Sequence, residues 1–172
     1  NEGFLPIGDN LYSGTKFTGE YDGAGYSISG LTINRPTSSK YIGLFGTTQG
    51  ATIRNLSVTN DNITGYEKVG SLVGLTYSTI IDNCSASGSV VSTALTGGLV
   101  GYAYDNSIIR NSYSTASVNS GTGGLTGGLV GFNYNSHILN SYSTGSVVTT
   151  SSSRGGLVAS KGGSTTITDS FY

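Results

Sequence analysis

Gly97–Val118 reads GGLVGYAYDNSIIRNSYSTASV and Gly127–Val147 reads GGLVGFNYNSHILNSYSTGSV, so nearly the same sequence occurs twice, 30 residues apart. An enzyme rarely needs its active-site residues in duplicate. A fold of stacked, equivalent layers does need every layer to repeat. We therefore interpret the repeat first as architecture, and look for chemistry in what the architecture leaves unexplained.

The repeat continues along most of the chain, because three kinds of position recur at intervals of 27 to 30 residues. The second residue of each G-L-V-G-like tetrad is a leucine, at Leu44, Leu72, Leu99, Leu129 and Leu157. An isoleucine follows nine or ten residues later, at Ile53, Ile81, Ile109, Ile138 and Ile167. Two residues beyond it lies an amide or acid, at Asn55, Asn83, Asn111, Asn140 and Asp169.

Each unit combines short apolar runs and alternating Ser-, Thr-, Val- and Tyr-rich stretches with Gly and Asn at the joins, and none carries a helical stripe. Strands too short to stand alone, repeated at this interval, predict an all-β parallel β-helix (β-solenoid) of about six coils of ~28 residues. We expect the β-helix to be right-handed, following the general preference of such folds. A β-sandwich with accidental internal similarity is the alternative.

Residues 1–16 show no repeat and are expected to form an N-terminal cap or edge, followed by one solenoid domain over 17–172. A degenerate first unit is proposed within Phe17–Ile33, aligned so that Ile28 matches Ile53. The predicted units lie near 17–40, 41–68, 69–96, 97–126, 127–154 and 155–172.

Equivalent positions of a solenoid lie above one another, so the leucine and isoleucine rows are predicted to be interior. The Asn row is interpreted as a structural ladder at a corner, because Asn tolerates left-handed backbone and stacked amides can hydrogen-bond from coil to coil. A ligand role for this row is the alternative. Alternation after the Asn places Cys84 inside as a small buried hydrophobe.

The same alternation predicts an exposed wall of aromatic and hydroxyl side chains. The candidate ligand-binding residues on this wall are Tyr113, Thr115, Tyr142, Thr144 and Phe171. The opposite assignment of inward and outward side chains, with the aromatic row stacked in the interior, stays open. A second aromatic row, Tyr77, Tyr104 and Tyr134, accompanies Leu75, Tyr102 and Phe132, and we expect one of these two rows to be interior.

Little in the chain suggests catalysis. Its net charge is -1, with 8 basic and 9 acidic residues, so we do not expect it to bind nucleic acid or an anionic membrane. The only histidine, His137, is aligned with Ser107 and interpreted as a solvated turn residue. Glu20 and Asp22 are the one close carboxylate pair outside a simple turn. We assign no catalytic residue, metal ligand or cofactor.

No apolar run is long enough to cross a bilayer, so membrane insertion is not expected. The opening NEGFLPIG has neither a basic region nor an apolar core, which suggests a mature start or an internal fragment rather than a precursor.

The motifs GLFG (Gly43–Gly46), SLVG (Ser71–Gly74) and GGLVG are each followed by an I-x-N pattern, which continues as I-x-N-[SC] after SLVG and as I-x-N-[SC]-x-S after GGLVG. Together they resemble the GLUG-motif repeats of bacterial cell-surface adhesins and surface proteins. FTGEYDGAGYSISGLTI (Phe17–Ile33) is similar to the segment that commonly precedes such repeats. Ser71 and Ala159 depart from the glycine pattern, which puts only local corner geometry in doubt. The resemblance implies a secreted or cell-surface location and no catalytic residues.

Two functions are therefore considered. The preferred one is a non-enzymatic module of a surface adhesin, acting as stalk, as adhesive face, or as both. Its expected partners are host or environmental glycans, surface proteins, and neighbouring domains of a larger chain. The alternative is a carbohydrate-active β-helix enzyme, either a polysaccharide lyase or a glycoside hydrolase, which would use Glu20 and Asp22.

Overall fold

The computed structural model of the protein describes residues 2–8, 14–37, 40–121 and 124–172. Their secondary structure is all β, without a helix, and the predicted fold class is confirmed. In chain order the strands are β1 (Glu20–Asp22), β2 (Ser27–Ser29), β3 (Thr32–Asn34), β4 (Tyr41–Ile42), β5 (Phe45–Gln49), β6 (Thr52–Thr64), β7 (Lys68–Val69), β8 (Val73–Tyr77), β9 (Ile80–Ser92), β10 (Leu95–Gly97), β11 (Val100–Tyr104), β12 (Ile108–Arg110), β13 (Tyr113–Ser114), β14 (Ser117–Ser120), β15 (Leu125–Gly127), β16 (Val130–Tyr134), β17 (His137–Leu139), β18 (Tyr142–Ser143), β19 (Val147–Thr149), β20 (Arg154–Gly155), β21 (Val158–Gly162) and β22 (Thr166–Thr168).

The strands form three parallel sheets that wind as a β-solenoid of about five turns. Sheet 1 has 12 strands, and its main path runs β1-β6-β9-β12-β17-β22. Sheet 2 runs β4-β7-β10-β15-β20 and sheet 3 runs β5-β8-β11-β16-β21. Among the described residues, the first unit contributes strands to sheet 1 alone, and Ile7 and Phe17 form isolated bridges to Phe45 and Thr48 of sheet 3. The handedness of the winding and the count of about six coils stay predictions.

The register of the first unit differs from the predicted alignment, which was wrong. Tyr21, not Ile28, pairs with Ile53, while Ile28 pairs with Val58. The turn around Gly25 replaces the single corner residue of later units, and the Gly25 amide donates to the Asn55 carbonyl. The extra turn residues separate Tyr21 from Ile28, so the two-residue offset of later coils does not apply.

The interior holds the predicted apolar rows. Leu72, Leu99 and Leu129 are fully buried, and Ile81, Ile109 and Ile138 are buried in the same way. Ile167, on the last rung of sheet 1, is 36% exposed. Each interior leucine or isoleucine removed from water stabilises the fold by roughly 1.5–3 kcal/mol, so the repeated rows are the main source of stability.

The glycine pair of each GGLVG sequence is required where neighbouring coils approach closely. A Cβ atom at Gly98 would collide with the Gly128 carbonyl oxygen and with Ser114 Oγ. One coil later, a Cβ atom at Gly128 would likewise collide with the Gly156 carbonyl oxygen and with Ser143 Oγ. The motif therefore repeats because each coil must fit the next.

The N-terminal residues within the described part of the predicted cap contact the first coils. Phe4 donates its amide to the Thr32 carbonyl, and Ile7 donates to Leu44. Asn1 and residues 9–13 of the predicted cap lie outside the described residues.

Candidate functional site

The corner residues of sheet 1 all have left-handed backbone. The φ angles are 53° at Asn55, 53° at Asn83, 52° at Asn111, 47° at Asn140 and 48° at Asp169. Non-glycine residues seldom adopt this conformation, and Asn and Asp adopt it most readily. The corner thus explains the residue type at every repeat.

Side-chain amides connect some of these corners but not all. Asn83 Nδ2 donates to Asn55 Oδ1 (2.9 Å), and Asn140 Nδ2 lies 3.4 Å from Asn111 Oδ1. Asn111 Nδ2 instead donates to Asp82 Oδ1 (2.8 Å), so the ladder is interrupted after Asn83. Among the described residues, no hydrogen bond to Asn83 Oδ1 is found.

The carboxylate pair of the first coil is held by one arginine. Arg54 contacts Glu20 Oε1 at 2.6 Å and Asp22 Oδ2 at 2.9 Å. Hydrogen bonds from Asn55, from the Ala24 amide and from Arg54 lower the pKa of Asp22 to about 2. A carboxyl group with so low a pKa is ionised near neutral pH and is a poor general acid.

Tyr113, Tyr142 and Phe171 form a column of stacked rings, here called the tyrosine column, along sheet 1. The ring centroids of Tyr113 and Tyr142 are 4.9 Å apart with planes inclined by 3°. Those of Tyr142 and Phe171 are 5.4 Å apart, inclined by 6°. Tyr113 is 37% exposed and Phe171 63%, while Tyr142 between them is half-buried. The column is therefore on the outer wall.

The residues that flank the column are also on the outside. Thr115 and Thr144 are both exposed, and their amides donate to the carbonyls of Ala86 and Ser114 respectively. On the same strand path, Ser117 Oγ and Ser146 Oγ are 2.8 Å apart. The wall thus presents aromatic edges beside a row of hydroxyl groups.

Stacking within the column limits what the rings can bind. The two faces of Tyr142 are covered by Tyr113 and Phe171, so only its edge and hydroxyl group are available to a ligand. Among the described residues, no ring covers the face of Tyr113 turned away from Tyr142, because the residue in register on that side is Ser85. A planar ligand face can therefore stack on Tyr113 but not on Tyr142.

A surface depression of about 190 Å³ lies on that side of Tyr113. Its lining combines one aromatic ring with small and amide side chains: Gly25, Asn55, Ser57, Asn83, Cys84, Ser85 and Tyr113. It exists because the register column reads Ser27, Ser57, Ser85 and then Tyr113, so the side chains grow abruptly in size. Ser57, Ser85 and Gly25 were not predicted as site residues, although the change from Ser to Tyr along this column is visible in the sequence.

The expectation that one aromatic row of sheet 3 is interior is wrong. The interior positions are Thr76, Ala103 and Asn133, which are fully buried. Residues two apart on a strand point to the same face, so both rows lie on the outer side. Tyr77, Tyr104 and Tyr134 are half-buried there, as are Tyr102 and Phe132, and Leu75 is buried.

His137 lies in β17 rather than in a turn, which corrects its alignment with Ser107. It pairs with Ile108 and Thr166, and its Nδ1 atom is 2.7 Å from Thr166 Oγ1. The correct register follows from the adjacent isoleucine row, because Ile138 pairs with Ile109.

Cys84 is buried, as predicted, with 2% of its surface exposed. Burial raises the pKa of its thiol to about 11. It begins an interior row of small polar groups in which the backbone amide of one coil donates to the side chain of the next: Cys84 to Ser112, Ser112 to Ser141 and Ser141 to Ser170, each at 3.1–3.2 Å. Hydrogen bonding accounts for serine in an interior row.

The described residues contain no group of three or more His, Cys, Asp or Glu side chains placed to hold a metal ion. Within the same ranges, no helix has the length and apolar character needed to cross a membrane.

Comparison with known proteins identifies the repeat. Residues 65–91, 92–119 and 122–148 each match the family model described as the GLUG motif. The resemblance noted from the sequence is thereby confirmed.

Two relatives share part of the chain. Over 119 residues, 69% of the chain, it is 37% identical to Halomucin of Haloquadratum walsbyi. Over 87 residues, 48% of the chain, it is 46% identical to a protein of Evansella cellulosilytica named "Putative Gly-rich membrane protein". The matches span 1% and 10% of the lengths of these relatives.

A solved structure has the same fold over most of the chain. It comes from Bacteroides ovatus and is named "putative immunoglobulin A1 protease". The TM-score is 0.73 at 26% sequence identity, and the match covers 86% of this chain and 49% of the other.

Proposed function

This chain is a GLUG-motif repeat protein, and we propose that it is a non-enzymatic module of a secreted or cell-surface protein, serving as a stalk and as an adhesive surface for glycans. Its similarity to a protein named as a membrane protein supports the location. The small share of each relative that it matches supports a role as one module of a larger chain.

The observation that carries the adhesive role is the tyrosine column of Tyr113, Tyr142 and Phe171 on the outer wall of sheet 1. Aromatic side chains combine a large apolar surface with few rotatable bonds, and here stacking already orders them. Flanking hydroxyl groups, such as those of Thr115 and Thr144, supply the polar partners that a sugar needs.

The stalk role follows from how the coils are joined. Parallel sheets stack the coils in register, so hydrogen bonds between strands connect each coil to the next along the winding axis. Each repeat contacts mainly its neighbours, which lets such a module be lengthened by adding coils.

A glycan array probed with the full chain tests the adhesive role. The double variant Tyr113→Ala, Tyr142→Ala should lose at least about ten-fold in glycan affinity, the equivalent of roughly 1.4 kcal/mol. Tyr66→Ala is the matched control, because Tyr66 is 43% exposed and lies outside the wall. Absence of glycan binding by the unaltered chain, or full binding by the double variant, would contradict the proposal.

Polysaccharide cleavage at Glu20 and Asp22 is the competing hypothesis. The ion pairs of both carboxylates with Arg54, and the low pKa of Asp22, argue against a general acid at this position. A cleavage screen should detect no activity in the unaltered chain. Activity that disappears in Glu20→Gln or Asp22→Asn would replace the non-enzymatic proposal.

A further inference from the structure

We propose that the depression beside Tyr113 binds a single pyranose unit of an uncharged glycan, with the sugar stacked on the free face of the Tyr113 ring. The inference rests on the proposed glycan-binding function and assigns it to one place on the wall. It makes the depression, rather than the outward edges of the tyrosine column, the place where affinity arises.

The position of the aromatic platform supports this assignment. Tyr142 covers one face of Tyr113, with the two ring planes inclined by only 3°. This stacking fixes the orientation of the Tyr113 ring. The other face borders the depression, where Ser85 stands in register with Tyr113 and leaves room for a ligand. The platform is thus ordered before binding, which lowers the entropic cost of association.

The polar groups around the depression match the hydroxyl groups of a sugar. Asn83 lines it, and among the described residues no group donates to Asn83 Oδ1. Ser85 Oγ donates to Ser57 Oγ (2.8 Å), so the Ser57 hydroxyl hydrogen can be directed to a ligand oxygen. One aromatic ring with a few convergent hydroxyl and amide groups is the composition expected of a small-ligand site.

The charges indicate an uncharged ligand. All seven lining residues are uncharged. The closest arginines along sheet 1 already have carboxylate partners: Arg54 pairs with Glu20 and Asp22, and Arg110 with Asp82 at 2.8 Å. An anionic sugar would find no unpaired cation among the described residues of this site, so uronic and sialic acids should bind more weakly than neutral sugars.

The variant Ser85→Tyr tests the site by extending the column. A ring at this position would stack on the free face of Tyr113 in the register that Tyr113 has with Tyr142, and would fill the depression. We expect this variant to fold with a melting temperature near that of the unaltered chain, and to lose at least about ten-fold in affinity.

Ser117→Tyr is the matched control. Ser117 is exposed on the same wall, whereas Ser85 is 6% exposed. Both serines make a 2.8 Å hydroxyl contact with a serine of the neighbouring coil. It does not line the depression. Ser117→Tyr should therefore bind glycans as the unaltered chain does.

NMR titration of the unaltered full chain with methyl glycosides of glucose, galactose, mannose and N-acetylglucosamine gives an independent measurement. The largest shifts should fall on the Ser85 backbone amide and the Asn83 side-chain amide. Asn83→Gly keeps the left-handed corner and removes Oδ1, and should weaken binding several-fold.

The outcomes separate the two proposals. If the unaltered chain binds no glycan, both the function and the site are wrong. If Ser85→Tyr binds normally while the Tyr113→Ala, Tyr142→Ala variant does not, the function stands and the depression is not the site. Titration shifts centred on Phe171 would equally overturn the site.

Discussion

The ring centroids of Tyr113 and Tyr142 are 4.9 Å apart, and the two planes are inclined by 3°. This separation matches the spacing of about 4.7–4.9 Å between neighbouring strands of a sheet. The backbones of β13 and β18 pair in parallel with Tyr113 opposite Tyr142, so the sheet itself imposes the stack. A fold that repeats in register thereby converts a repeated residue into a continuous aromatic surface.

Replacing the central ring of the tyrosine column should cost stability as well as binding. Tyr142 stacks on both Tyr113 and Phe171, so Tyr142→Ala removes two ring contacts, worth about 0.5–1.5 kcal/mol each. Urea denaturation of Tyr142→Ala should show a free energy of unfolding about 1–3 kcal/mol below that of the unaltered chain. Tyr142→Phe keeps both stacks and should unfold like the unaltered chain. If Tyr142→Ala were as stable as the unaltered chain, the ring stack would contribute nothing to the free energy of unfolding.

The corner at Asn111 should tolerate glycine better than alanine. Its φ of 52° lies in the left-handed region, which costs an alanine roughly 1–2 kcal/mol and a glycine little. Both substitutions remove the hydrogen bond to Asp82, so that loss cancels when the two variants are compared. Thermal denaturation should give Asn111→Ala a lower melting temperature than Asn111→Gly. The reverse order would show that side-chain bonding, not backbone conformation, selects Asn here.

Asp61 should make the fold less stable as the pH rises. The residue is 4% exposed beside Gly88, and burial raises the pKa of its carboxyl from 3.8 to about 6, although the Ser89 amide donates to Oδ1. The folded state therefore keeps a proton that the unfolded chain releases. The stabilising effect of that proton is complete below pH 3.8 and is lost as the pH passes about 6.

The variant Asp61→Asn isolates this effect. By roughly 1.4 kcal/mol per pKa unit, it should be more stable than the unaltered chain by up to about 3 kcal/mol at pH 7 and similar to it at pH 4. Asp105→Asn, at an exposed left-handed position, is the control. Chemical denaturation at several pH values provides the measurement. A constant difference between the Asp61 variant and the unaltered chain across this range would refute the assignment.

The thiol of Cys84 should be interchangeable with a hydroxyl group. Its Sγ atom lies 3.4 Å from the Asp82 carbonyl, and Ser112 Oγ donates to the Arg110 carbonyl at the equivalent place, at 2.7 Å. Cys84→Ser should therefore change the free energy of unfolding by less than about 1 kcal/mol. Cys84→Val keeps the volume but removes this contact, and should unfold at lower denaturant concentration than Cys84→Ser.

The same burial predicts a slow reaction of Cys84 with thiol reagents. The pKa of about 11 leaves little thiolate near neutral pH, and the thiolate is the reactive species. Labelling with an aromatic disulfide reagent should be much faster in denaturant than in the folded chain. Rapid labelling of the folded chain would mean that this part of the solenoid opens readily.

The apolar rows were predictable because the repeat itself gives their register. Leu99 and Ile109 recur with fixed offsets, and an interior that repeats must be lined by residues that repeat. Simple alternation after the corner at Asn111 favoured exposure of the tyrosine column but left a buried aromatic row open, and the structure shows the exposed arrangement. The register of the first unit was not predictable, because the turn at Gly25 adds residues that no later coil contains.

The sequence by itself thus determined the fold class and the interior leucine and isoleucine rows, since each depends only on offsets that every coil shares, and it favoured the exposure of the tyrosines. Only the tertiary structure decided that Tyr142 is covered on both faces and that Tyr113 borders a depression. Those features depend on which residue of the neighbouring coil stands in register, here Ser85 beneath Tyr113. Residues 28 positions apart become neighbours only when the chain winds, so the site arises where the repeat is broken.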